Sequence, residues 1–130
     1  MSESQSNGAQ WILRIAVLGE FLGHGVLALT GKPSFITLIE NFTGFDAAFC
    51  GDILLTIGVI DIIVALIVLF RPVRLVLVYA TFWGFVTALA RPLYGGVGWL
   101  AFVERAANWG APLGLLLLRG RALTARDWLR

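Results

Sequence analysis

Cysteine, histidine and charge are all scarce in this chain. Cys50 is the only cysteine among 130 residues, so no intramolecular disulfide can form and no CxxC or Cys/His metal set exists. A lone thiol beside an apolar run reads as a small hydrophobe, with a bond between chains as the alternative. His24 is the only histidine, so bis-histidine haem ligation would need a second copy of the chain or another subunit. No flavin, haem or iron–sulfur motif is present, which argues against a self-sufficient oxidoreductase. Charged residues make up 14% of the chain and the net charge is +2. The basic residues form no stripe among aromatics, so a nucleic-acid surface is not expected. The first ten residues contain no Lys or Arg and so lack the basic region of a signal peptide. Asn41-Phe42-Thr43 matches a glycosylation sequon, a triplet that also arises by chance.

What the chain has in abundance is apolar side chain: 58% of residues are hydrophobic and the mean hydropathy is +0.85. A soluble domain of this size has too much surface for its volume to hide that content, whereas a bilayer acts as an apolar solvent. Four segments approach the roughly 20 residues needed to cross about 30 Å of hydrocarbon: Trp11–Leu29, Phe49–Phe70, Val73–Pro92 and Trp99–Leu118. They predict an all-α, integral membrane four-helix up-down bundle over residues 11–118, with a polar N-terminal tail (1–10) and a basic C-terminal tail (119–130). Thr30-Gly31-Lys32-Pro33, Arg71-Pro72-Val73-Arg74 and Gly95-Gly96-Val97-Gly98 supply the breaks, since Pro cannot continue a helix and Gly permits the turn. Such short links make consecutive helices antiparallel neighbours.

The connection between the first two spans is longer. Phe35, Leu38, Ile39 and Phe42 fall at helical spacing between polar residues, with Ser34 as a cap and Gly44 as a stop. This pattern predicts an amphipathic helix in the membrane interface, covering one end of the bundle; a loop with scattered hydrophobes is the alternative. Arg14, Arg71, Arg74, Arg119, Arg121, Arg126 and Arg130 gather on the face that holds both termini, against Lys32 alone on the opposite connections. The positive-inside rule then places both termini in the cytoplasm, and Trp11, Trp99 and Trp128 fall near the interfaces.

Ionisable and polar groups within the spans carry the chemistry. They are Glu20, His24, Asp52, Asp61, Arg91, Glu104, Arg105 and Asn108, and groups at such depth usually face the bundle interior and pair. At 1.5 Å per residue, Asp52, Arg91, Glu104 and Arg105 fall near the outer end. His24 and Asn108 lie deeper, and Glu20 and Asp61 lie near the midplane. Glu20 and His24 are i,i+4 and share a helix face, as do Glu104 and Asn108. A carboxylate beside an imidazole orients the ring and suits proton exchange or ligand binding. Arg91 and Arg105 can neutralise carboxylates or clamp an anionic or carbonyl-bearing ligand. The pairs Gly19/Gly23 and Gly110/Gly114 predict close approach of the first and last helices, and Pro112 frees a backbone carbonyl. No residue set identifies a catalytic apparatus or a metal site.

Leu13-Arg14-Ile15, Phe21-Leu22-Gly23-His24-Gly25, Leu29 and Gly31-Lys32 resemble the opening of the DoxX-like family of small four-helix membrane proteins. The resemblance implies a multi-pass protein of a bacterial-type inner membrane with a quinone-linked or accessory role, since some relatives are the membrane subunit of a thiosulfate:quinone oxidoreductase. Two classes of function follow. One is a redox-associated membrane subunit that binds a quinone or similar polar-headed lipid at an outward-facing site. The other is a non-enzymatic accessory subunit or small transporter, in a homo-oligomer or larger complex, whose charges serve packing or partner binding.

Overall fold

Ser2 starts the first helix. Its hydroxyl accepts the Gln5 amide at 3.2 Å while the Gln5 side chain accepts the Ser2 amide at 2.9 Å, a reciprocal cap that satisfies two otherwise orphaned donors. The segment expected as a polar tail is therefore helical. The computed structural model describes residues 1–130 and has no strands. Its elements are α1 (Glu3–Leu29), α2 (Pro33–Thr43), α3 (Ala47–Phe70), α4 (Arg74–Tyr94), α5 (Leu100–Val103), α6 (Ala106–Leu118) and α7 (Ala125–Trp128). Helices α1, α3 and α4 are long and apolar enough to cross a membrane.

The expected fourth span is not one helix. Arg105 donates its backbone amide to Phe102 rather than Ala101, and its guanidinium takes the freed Ala101 carbonyl at 2.8 Å. The chain turns at Glu104 and Arg105, leaving α6 with 13 residues, about 20 Å of helix. Expected neighbours differ as well. Consecutive helices α3 and α4 touch only sparingly, while α1 packs mainly on α3, α4 on α6, and α1 also on α6. Val17, Phe21, Val64, Ala65, Val68, Leu77, Ala80 and Leu115 form the core that joins the two antiparallel pairs.

Close approach occurs at other glycines than those expected. A β-carbon on Gly19, Gly23 or Gly110 would meet nothing within 4 Å, and one on Gly114 would meet only Leu13 at 3.5 Å. The inward stripe of α1 is Val17, Phe21, Gly25 and Ala28, so Gly19 and Gly23 face outward. Gly25 and Gly58 bring α1 and α3 together: a β-carbon on either would lie 2.9–3.0 Å from the other's carbonyl oxygen. Gly84 does the same for α4 and α6, because a β-carbon there would sit 2.3 Å from the Asn108 carbonyl oxygen. Asn108 lies four residues before Pro112, so the carbonyl that the proline deprives of its helical donor is the one packed against Gly84.

Arginines close the opposite end. The Arg14 guanidinium lies over the Trp11 ring and donates to the carbonyls of Val68 and Leu69, the last turn of α3. Arg74 donates to the Asp127 carbonyl at 2.9 Å, and its amide donates to the Arg130 carbonyl at 3.1 Å, folding the C-terminal tail back. Within the tail, Asp127 accepts from the amides of Thr124 and Leu123 and from the Thr124 hydroxyl. The Thr124 amide, then its hydroxyl, then the Leu123 amide hold the Asp127 carboxyl below the usual carboxylate range. A carboxyl depressed in the folded state contributes stability above its unfolded pKa and loses it as pH falls through the folded value. The Leu123 and Thr124 amide resonances are therefore expected to move together at a pH below that of a free aspartate. A midpoint at the ordinary aspartate value would show that this cap does not form.

Candidate ligand-binding cavity

A cavity of about 500 Å³ opens where α3 and α4 part, lined mainly by hydrophobic side chains from α1, α3 and α4. Helix α2 covers it. Lys32 precedes α2 and Pro33 occupies its first turn, with no side-chain cap, so Ser34 does not cap as expected. Gly44 ends the helix at φ 75°, a backbone region that glycine adopts freely. The apolar face of α2 presents Phe35, Leu38, Ile39 and Phe42 to the cavity. Asn41 donates to the Tyr94 carbonyl at 2.8 Å and Phe42 packs edge-on to Tyr94, which fastens α2 to the end of α4.

Six of the candidate residues line this cavity: Glu20, His24, Asp61, Arg91, Arg105 and Asn108. His24 Nδ1 lies 2.7 Å from Glu20 Oε1, and the imidazole ring packs 5.9 Å from the Phe35 ring. Asp61 and Asn108 are buried. A β-carbon built on Gly25 would lie 3.3 Å from the Asp61 β-carbon, so Asp61 faces α1 at the residue that follows His24. The Arg91 guanidinium lies 5.1 Å from the Phe35 ring centroid and has no carboxylate or hydrogen-bond partner.

Asp52 and Glu104 are elsewhere. Asp52 is exposed on α3. Glu104 is also exposed, and it pairs with its neighbour Arg105 rather than with a charge on another helix. The turn at Glu104 and Arg105 also undoes the face that Glu104 was expected to share with Asn108. Cys50 is buried with only weak contacts to the Thr43 hydroxyl and the Phe45 carbonyl, so it packs as a small hydrophobe.

The lining also includes Phe35, placed from the sequence on the apolar face of α2 but not in a site, and Trp83, Thr87 and Tyr94, which were not singled out. The apolar stripe of α2 was the one available signal for Phe35. Trp83, Thr87 and Tyr94 follow the period of α4, but Tyr79 and Thr81 carry the same polar groups on that helix, so residue type alone did not mark them. A cavity of this size with apolar walls and a few convergent polar groups matches the usual form of small-molecule sites. Its inner end is acidic and its mouth is basic. Arg91 supplies donors for a carbonyl or acid head, and the walls accept an apolar ring or chain, so the residues fit a quinone head group. Comparison with family models, curated proteins and solved structures finds no match.

Proposed function

We propose that this chain is a small multi-pass protein of a bacterial-type inner membrane that binds a quinone or a similar polar-headed lipid in the cavity under α2. The observation that carries this reading is Arg91: a half-buried guanidinium without an anionic partner, at the mouth of an apolar cavity. Arg91 holds the carbonyl or acid head of the ligand, as a delocalised cation with a fixed fork of donors is suited to do. The Glu20–His24 pair exchanges protons beside it. A quinone, when bound, supplies two-electron redox chemistry; the chain's own residues bind, orient and handle protons.

Both termini lie in the cytoplasm in this reading. Helices α1, α3 and α4 span the bilayer, and α5 with α6 returns the chain to the face where α4 begins. The resemblance to DoxX-like proteins agrees with a role as a membrane subunit that works beside a partner carrying the redox centre, or beside further copies of itself. The Arg91 assignment is tested with the purified protein in lipid nanodiscs, titrated with decylubiquinone and followed by tryptophan quenching. Arg91→Gln is expected to weaken binding by roughly tenfold or more, the worth of a charged hydrogen bond. Equal affinity in the two proteins would remove the ligand from Arg91.

A further inference from the structure

We infer that the inner end of the cavity receives a hydrogen-bond-donating group, so that the ligand has two heads, an acid or carbonyl at Arg91 and a hydroxyl or ammonium at Asp61. The inference rests on the binding reading above and adds the chemistry of the ligand's second end.

Asp61 is 3% exposed, faces the cavity, and leaves Oδ1 without any hydrogen-bond partner. A buried carboxylate oxygen in that condition costs free energy, and native structures leave few of them. The Tyr79 phenol lies within electrostatic reach of the carboxyl, and neither it nor any other neighbour donates to Oδ1. His24 turns Nδ1 to Glu20 at 2.7 Å, and the lining residues one and two turns back on α3, Ile57 and Leu54, carry no donor. The Trp83 side chain lies beside the carboxyl, and Oδ1 is still left over. The cavity that Asp61 lines is an open route by which a further donor can reach Oδ1.

The two ends are well separated. Trp83, beside Asp61, and Arg91 lie eight residues apart on α4, about 12 Å along the helix axis. The lining between them includes Val86, Ala90 and, across the gap, Ile57. An elongated molecule with an apolar middle and unlike ends fits this arrangement. An anionic head is excluded from the Asp61 end by like charge and favoured at the Arg91 end.

Three probes of equal chain length separate the possibilities: octanoate, 8-hydroxyoctanoate and 8-aminooctanoate, each titrated calorimetrically into the protein in nanodiscs. The hydroxy and amino acids are expected to bind at least tenfold more tightly than octanoate. Asp61→Leu should abolish that advantage, whereas Arg91→Gln should weaken all three alike. Equal binding of the three probes by the native chain would overturn the inference while leaving the Arg91 reading intact. So would an advantage that survives in Asp61→Leu. Binding of none of them would overturn both, and the comparison within the native chain needs no variant to fold.

Discussion

Gly84→Ala is expected to destabilise the protein by about 2–3 kcal/mol, and Gly84→Val by more, because neither side chain has anywhere to go. The added β-carbon would lie 2.3 Å from the carbonyl oxygen and 2.8 Å from the carbonyl carbon of Asn108, and 3.2 Å from the Trp109 amide. All three are backbone atoms of α6, so no rotamer change relieves the clash and the two helices must separate. That separation would also shift Asn108, and with it one wall of the cavity. Gly23→Ala is the matched control. It meets nothing within 4 Å, and alanine favours helix over glycine by up to about 1 kcal/mol, so stability should be unchanged or raised. Denaturation of the purified variants in mild detergent, followed by circular dichroism, measures both. A Gly84→Ala protein as stable as the native chain would show that α4 and α6 are not in contact here.

Arg14→Met should cost about 2–4 kcal/mol for a different reason. Hydrogen bonds from a charged donor are worth roughly 1.5–3 kcal/mol each, and Arg14 makes two of them, to Val68 and Leu69. Neither carbonyl has a backbone substitute. The residue four beyond Val68 is Pro72, which has no amide hydrogen, and the amide four beyond Leu69, that of Val73, donates to Arg71 instead. Pro72→Ala restores one donor, so it should offset part of the loss in the Arg14→Met background while doing little in the native chain. A double-mutant cycle on unfolding free energies reads this coupling directly. Strictly additive effects would mean that Arg14 acts through Trp11 or through surface charge alone.

Much of this architecture was legible in the residues. The apolar runs marked α1, α3 and α4 because length and composition decide what crosses a bilayer. The spacing of Phe35, Leu38, Ile39 and Phe42 marked α2 and its inward face. Other features needed information that a run of residues does not carry. The break before α6 depends on a side chain of Arg105 replacing an amide at Ala101, and propensity is silent about such an exchange. Which glycines let helices touch depends on rotation about the helix axis. That phase was visible in the stripe Val17, Phe21, Gly25 and Ala28, and spacing of small residues alone missed it. Helical phase also separates the two aspartates of α3. Asp52 and Asp61 are nine positions apart, about 900° of rotation and therefore half a turn out of step, so at most one could face the cavity. Helical spacing likewise brought Glu20 and His24 together, whereas Arg91 and Arg105 joined them only through the packing of α4, α5 and α6.

The sparse contact between α3 and α4 bears on how a ligand arrives. On the membrane reading, a seam between two spans faces acyl chains along its length, and α2 shuts the end that faces water. Molecules would then enter sideways, from the leaflet, and the quantity that drives occupancy would be their mole fraction in lipid rather than their aqueous concentration. Affinities measured in detergent would shift with the ratio of micelle to protein, and only titrations expressed per lipid would agree between preparations. A ligand that never leaves the hydrocarbon phase would exchange by lateral diffusion, at rates set by bilayer fluidity.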